Sequence, residues 1–139
     1  MRKSSKILWR LTWFIFILAI LYVTLSPFRF HPDLTFIRAK AHHIDWFPIS
    51  APAGYRVDWE DVITNIILFM PFGFLGYWSV GTPTRKKRII LVVMGFLFSF
   101  GIETLQLLTA TRATQLEDVL TNTLGGALGV LLATLAGLG

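Results

Sequence analysis

Long apolar segments separated by short polar stretches are the main pattern of this sequence. Four such segments are long enough to cross a hydrocarbon core of about 30 Å as helices of about 20 residues, and they span 7–25, 62–80, 89–108 and 119–138. We therefore predict an all-α, multi-pass transmembrane bundle of four helices, formed by one domain over residues 1–139. The first segment has the basic start of a secretory signal but lacks a small-x-small cleavage motif, so it is interpreted as an uncleaved anchor.

Composition and charge agree with a membrane protein. The chain is 54% apolar and only 15% charged, whereas roughly 25% charged residues are usual in soluble domains. Its net charge of +5 comes from basic runs at 2–10 and 85–88, each beside an apolar segment. Such runs are typical of charge that sets membrane topology, and they argue against nucleic acid binding. Because the loops at 28–61 and 109–118 are mixed in charge, positive-inside counting predicts cytoplasmic termini and places both mixed loops outside.

The loop at 28–61 is long for a connection and rich in aromatic residues and prolines. This composition resembles the aromatic belt at a membrane interface. Two arrangements are compatible with it. One is a segment that lies on the outer surface or dips into the membrane, and the other is a short amphipathic helix at the level of the headgroups.

No metal site and no cofactor is predicted. His42 and His43 are adjacent, so their side chains point apart on most backbones, and neither they nor His31 have further ligands at a suitable spacing. The chain has no cysteine, which excludes thiolate metal ligands and cysteine nucleophiles. Nucleophile-elbow, phosphate-loop and zinc-helix motifs are also absent from the sequence.

An internal repeat opens two of the apolar segments. The hexapeptide EDVITN at 60–65 recurs at 117–122 as EDVLTN, identical at five of six positions. The two copies run in the same direction, so the chain is compatible with two helical hairpins related by an axis near the membrane normal. The requirements of a helix start also account for the repeat, because an Asp there caps free backbone amides and is favoured at the positive end of the helix dipole. Capping does not account for Asn65 and Asn122, one turn further into the apolar segment.

The third segment carries a carboxylate inside its apolar span. Glu103 follows Ile89 by fourteen residues, or roughly 21 Å along a helix, which predicts a position in the outer part of the bilayer. Gln106 lies on nearly the same face, and Arg112 follows in the next loop. An intramembrane carboxylate is by default a functional-site hypothesis. A Glu103 to Arg112 ion pair that holds the hairpin together is the structural alternative.

Polar residues of three predicted helices thus converge near one membrane face. We predict an outward-facing pocket there, suited to a polar headgroup or a cation. Its predicted ligand-binding residues are Asp61, Asn65, Glu103, Gln106, Arg112, Asp118 and Asn122.

Small residues predict close helix packing. Gly125 and Gly129 belong to a stripe of small residues at every fourth position over 125–137, a pattern that permits close backbone approach. Pro71 and Gly73 predict a kink or a thinning of the second helix near mid-membrane. We interpret these four as packing residues.

Several short motifs, in order along residues 20–135, resemble the VanZ-like membrane proteins. They are Ser26-Pro27-Phe28, DVITNIILFMPFGF at 61–74, SFGIETLQ at 99–106, Arg112, Asp118 and NTLGG at 122–126. The segment IDWFP at 44–48 resembles the one that precedes the family's second helix, except that Asp45 stands where Asn is expected. The resemblance implies a protein of the bacterial cell envelope, in the cytoplasmic membrane, whose namesake is linked to low-level teicoplanin resistance.

Three functions are open at this point. The leading hypothesis is a non-enzymatic envelope protein whose pocket binds an envelope lipid, glycolipid, lipid-linked precursor or glycopeptide, and thereby lowers exposure to lipoglycopeptides such as teicoplanin. Arg112 would pair with a phosphate or carboxylate of the ligand, although the three carboxylates suit the basic groups of a glycopeptide better. The alternatives are an intramembrane enzyme with Glu103 as general acid or base on a lipid-linked substrate, and a small transporter.

Overall fold

Five helices follow one another in the described part of the chain, which comprises residues 3–44, 56–81 and 84–137 of a computed structural model. They are α1 (Lys3–Leu25), α2 (Leu34–Ala41), α3 (Trp59–Ser79), α4 (Arg85–Gln106) and α5 (Leu116–Ala136). All except α2 are long and apolar enough to cross a membrane. The predicted all-α bundle with four transmembrane helices is therefore confirmed.

Each long helix begins three or four residues before the start that hydropathy predicted. The reason is that polar residues begin these helices ahead of their apolar parts, and in α3 and α4 a side chain also caps the start. In α3 the cap is Asp58, whose carboxylate accepts hydrogen bonds from the backbone N–H groups of Glu60 and Asp61. In α4 the cap is Thr84, whose side chain accepts from the N–H of Lys87. Hydropathy locates the lipid-facing length of a helix, whereas the cap decides where it starts.

The helices run alternately up and down, which gives the bundle two chemically different ends. At one end, which contains Asp61, Glu103 and Asp118 and is called the acidic end, α1 and α4 finish and α3 and α5 begin. At the opposite end, called the basic end, Arg10 of α1 donates to the Ser79 carbonyl at the finish of α3, with 3.2 Å between Nε and O. The two basic runs of the sequence therefore meet at one end.

The parallel helices α3 and α5 pack with their backbones in direct contact. A Cβ added at Gly129 would lie 1.9 Å from the Met70 carbonyl oxygen, and one at Gly73 would lie 1.9 Å from that of Gly126. A Cβ at Gly125 would lie 2.4 Å from the carbonyl oxygen of Ile66. No side chain fits at such distances, so glycine is required at these positions of the contact.

Aromatic side chains fill the space between α3 and its other neighbours. Phe69 and Phe72 of α3 are buried with Ile20 of α1 and Ile102 of α4. The rings of Phe72 and Phe98 stack at a centroid distance of 5.5 Å. The helix α3 continues through Pro71 without interruption, which membrane helices tolerate where neighbours pack around the unpaired carbonyl.

The chain after α1 turns back and joins the connection between α4 and α5. The backbone N–H of His31 donates to the Leu108 carbonyl at 2.7 Å, and that of Ala110 donates to the Arg29 carbonyl at 3.1 Å. The short helix α2 then follows its N-cap Asp33, whose carboxylate accepts from the N–H of Phe36. Of the two arrangements predicted for the loop 28–61, the structure thus contains a short helix. Residues 45–48 of the motif around Asp45 and half of the loop's aromatic residues and prolines lie at 45–55, outside the described residues.

Replacing Gly129 with alanine is expected to force α3 and α5 apart, because the new Cβ would overlap the Met70 carbonyl oxygen. Overpacking of this kind costs about 1 to 3 kcal/mol. The variant should therefore melt at a lower temperature in detergent when unfolding is followed by circular dichroism. The matched control is Gly101→Ala in α4, because nothing lies within 4 Å of its added Cβ. Equal melting temperatures for the two variants would contradict the contact.

Candidate functional site

A cavity of about 340 Å³ lies at the acidic end of the bundle. Its walls come from the first turns of α3 and α5, the last turns of α1 and α4, and the connection between α4 and α5. All seven residues that the sequence predicted for ligand binding line this cavity: Asp61, Asn65, Glu103, Gln106, Arg112, Asp118 and Asn122. The structure therefore gathers residues from positions 61 to 122 around one space.

The repeated hexapeptides lie side by side because α3 and α5 are parallel and in contact. The Asn65 side chain donates from Nδ2 to Oδ1 of Asp118 at 2.8 Å, which joins the two copies. Neither repeated Asp is an N-cap. The N-cap of α3 is Asp58, and the N-cap of α5 is Gln115, which makes no side-chain capping bond. The first-turn positions of Asp61 and Asp118 still favour them at the positive ends of two helix dipoles.

Glu103 is buried between α4 and α5, with 5% of its surface exposed. Its Oε2 accepts a hydrogen bond from the backbone N–H of Gln115 at 3.0 Å. The bond connects the finish of α4 to the start of α5. The sequence-based alternative, an ion pair between Glu103 and Arg112, is wrong, because the guanidinium is directed toward α1 instead.

Arg112 attaches the loop between α4 and α5 to the last turn of α1. Its Nη2 donates to the carbonyl oxygens of Val23 and Ser26, each at 3.1 Å, and its Nε donates to that of Ser26 at 3.3 Å. A cation at these carbonyls also stabilises the negative end of the α1 dipole. Two of the three guanidinium nitrogens are therefore engaged within the protein.

The side chains of Gln106 and Asn122 in the cavity also use their NH₂ groups within the protein. Gln106 donates from Nε2 to the Thr24 carbonyl of α1 at 3.0 Å. Asn122 donates from Nδ2 to the Ser99 hydroxyl of α4 at 2.9 Å. Their acceptor oxygens, Oε1 of Gln106 and Oδ1 of Asn122, are buried and have no hydrogen-bond partner among the described residues.

Sequence reasoning missed Lys40, which sits on α2 beside the cavity. Its ammonium donates to the Thr109 carbonyl at 2.6 Å and to the Gln106 carbonyl. Burial lowers the pKa of Lys40, and the facing Glu103 carboxylate opposes this by raising the Lys40 pKa. No local pattern indicated these contacts, because Lys40 is 66 positions before Gln106 and 69 positions before Thr109 in the sequence.

Ser99 and Gln115 were also missed as parts of the site. Ser99 lies four residues before Glu103, about one helical turn, so helical spacing places both on the same face of α4. That spacing was the signal that could have revealed it. Gln115 acts through its backbone N–H, which any residue other than proline supplies, so its side-chain type gave no signal.

A second, apolar cavity of about 220 Å³ lies beside the first, between α4 and α5. Phe100, Leu107, Leu116 and Val119 line it, and Glu103 and Gln115 line both cavities. The carboxyl group of Glu103 therefore stands at the boundary between a polar and an apolar space.

These features define a polytopic helical membrane protein with an acidic, amide-lined cavity at one end. The sequence model of the VanZ/LLP1 family matches residues 13–137, so the chain belongs to that family. Among curated proteins it is similar to Protein VanZ of Enterococcus faecium, with 29% identity over 114 residues, which is 80% of this chain and 59% of the relative. The chain thus spans less than two thirds of that relative's length. No solved structure matches the chain.

Replacing Lys40 with alanine is expected to release α2 from the finish of α4, because both bonds of its ammonium go to carbonyls there. Loss of hydrogen bonds to a charged group should make amide exchange in α2 roughly tenfold faster. Hydrogen–deuterium exchange mass spectrometry of α2 measures this. Arg38→Ala is the control on the same helix, since Arg38 is exposed. Exchange in Lys40→Ala as slow as in the control would contradict the anchoring role.

Proposed function

We propose that this protein lies in the cytoplasmic membrane of a bacterium with its acidic end outward, and that the cavity there binds a polar group of an envelope glycolipid, lipid-linked precursor or glycopeptide. Binding lowers the sensitivity of the cell to lipoglycopeptide antibiotics such as teicoplanin. The observation that carries the proposal is the convergence of seven polar side chains on one cavity at the end of a transmembrane bundle.

The charge distribution supports the outward orientation of the acidic end. Arg10 contacts the finish of α3, and Lys87 donates to the Val80 carbonyl, so both basic runs meet at the opposite end. Loops rich in Lys and Arg stay on the cytoplasmic side. The cavity then faces the space in which cell-wall precursors and glycopeptide antibiotics are found.

The size of the cavity supports binding of a headgroup or substituent. Pockets for small molecules usually measure about 300 to 1,000 Å³, and this one is near the lower bound at about 340 Å³. A whole glycopeptide or lipid does not fit in it. The remainder of such a ligand would lie in the membrane or above the bundle, so the cavity recognises one polar group of a larger molecule.

The burial of the polar residues supports a role in binding. Ionisable groups within a membrane span are costly, and they usually mark a site or a pathway. Glu103 receives one hydrogen bond from the described residues, at Oε2. Its second oxygen is therefore available to a ligand.

An enzyme is the second candidate function, and the environment of Glu103 is the observation that favours it. A buried carboxyl group beside a polar cavity suits a general acid or base acting on a lipid-linked substrate. Incubation of the purified protein with lipid-linked precursors, followed by mass spectrometry, distinguishes the two functions. Recovery of unchanged precursor bound to the protein supports the binder, whereas product formation that Glu103→Gln abolishes supports the enzyme.

Replacing Glu103 with glutamine is expected to impair binding while preserving the fold. Glutamine keeps the size and the acceptor for the Gln115 N–H, but it removes the charge offered to a ligand. Loss of one charge-assisted hydrogen bond weakens binding roughly tenfold or more. We expect cells that produce the variant to be as sensitive to teicoplanin as cells without the protein. The measurements are the inhibitory concentration and the affinity of the purified protein for teicoplanin.

The control is Glu60→Gln, which removes an exposed carboxylate one residue from Asp61 and outside the cavity lining. It should leave resistance and affinity unchanged. If the Glu103→Gln variant is present in the membrane at the normal level and gives full resistance, the Glu103 charge has no role in resistance.

A further inference from the structure

Hydrogen-bond acceptors without protein partners are concentrated in the cavity. Gln106 and Asn122 both line it, and their oxygens Oε1 and Oδ1 are buried and lack a partner among the residues that the structure describes. The two side chains are only 7% and 4% exposed. A buried polar atom without a partner costs free energy comparable to a lost hydrogen bond. Both oxygens therefore have a vacant acceptor position within the described part of the chain.

The direction of the Gln106 amide group is fixed by its protein partner. Gln106 faces the Thr24 carbonyl, which can only accept, so Nε2 must point toward it and Oε1 must point away. Asn65 faces the Asp118 carboxyl oxygen in the same way. Gln106 and Asn65 thus each use one N–H of the amide group within the protein, and the Gln106 oxygen is turned away from its partner.

The carboxyl groups add further acceptors. Three of them, from Asp61, Glu103 and Asp118, line the cavity together with a single guanidinium, that of Arg112. Two nitrogens of Arg112 already donate to carbonyls of α1. No hydrogen bond reaches the Asp61 carboxylate from the part of the chain that is described. The cavity therefore offers oxygens of two kinds, neutral amide and acidic, beside the hydroxyls of Thr64 and Thr111 and the third nitrogen of Arg112.

We propose that this cavity selects a primary ammonium group, held by the carboxyl groups and by the amide oxygens of Gln106 and Asn122. An ammonium offers three donors and no acceptor, which matches the excess of acceptors. A phosphate or a carboxylate would face three acidic side chains, and the like charges disfavour it. This inference rests on the proposed function and narrows its ligand to an amine-bearing one.

Two sources can present this group at the acidic end. One is the amine of a glycopeptide, and the other is the headgroup of an aminophospholipid in the outer leaflet. Both molecules carry a primary ammonium group. The cavity therefore defines the chemical group that is bound, and the experiment below distinguishes the molecule that carries it.

The test compares ligands that differ only at the amine. The full-length protein is placed in nanodiscs of phosphatidylglycerol, and its melting temperature and affinity are measured with teicoplanin and with teicoplanin whose amine has been acetylated. In the lipid arm, nanodiscs that contain phosphatidylethanolamine are compared with nanodiscs that contain its N-acetylated form. Acetylation removes the charge and two of the donors. We expect it to weaken binding roughly tenfold or more in the arm that carries the true ligand.

A variant confirms that the effect arises in the cavity. Asp118→Asn keeps an oxygen that accepts from Asn65 but removes one acidic group, so it should lose most of the preference for the free amine. Glu60→Gln, outside the cavity lining, should keep the preference.

The outcomes separate this inference from the proposed function. Equal binding of the free and acetylated forms in both arms would overturn the ammonium inference and leave a binding protein. An absence of binding to teicoplanin and to both lipids would overturn the proposed function itself. A preference for the free amine that Asp118→Asn leaves intact would also overturn the inference, because the amine would then be recognised elsewhere.

Discussion

The direct backbone contact between α3 and α5 is the constraint on which the rest of the structure depends. At Gly73 and Gly129 the facing carbonyl oxygens occupy the positions that a side chain would take, so the two helices are fixed in distance and register. That register brings Asn65 to Asp118 at the start of both helices. The helix α4 then packs on α5, and α1 packs on α3, so the remaining walls of the cavity form around this pair. In lipid, where apolar surface gives little drive for helices to associate, such close contact supplies the packing energy.

The hydrogen bonds that hold the cavity walls together also determine what the cavity offers. Three bonds between helices use an amide donor: Asn65 to α5, Asn122 to α4, and Gln106 to α1. Bundle stability and ligand chemistry are therefore connected, because the same amide side chains join the helices and line the cavity.

The sequence predicted the membrane helices and the members of the cavity for the same physical reason. Lipid penalises unpaired polar groups, so long apolar segments must be helices, and a residue such as Glu103 within one must face inward. The sequence did not reveal which polar groups pair with each other. Arg112 had equally available acceptors in Glu103 and in the carbonyls that end α1, and only the packing of α1 decided between them. The position of Lys40 was likewise unpredictable, since it depends on how α2 folds back over the bundle.

The two hexapeptides are nearly identical in sequence but have different roles in the structure. If the repeat formed a symmetrical pair, the bond from Asn65 to Asp118 would be matched by one from Asn122 to Asp61. Asn122 donates instead to Ser99, because α5 packs against α4 on that side. Asp61 is left without an amide partner among the described residues and faces the cavity. Because of this asymmetry, the Asp118 carboxylate takes part in a bond between helices, whereas the Asp61 carboxylate is an acceptor that a ligand can use.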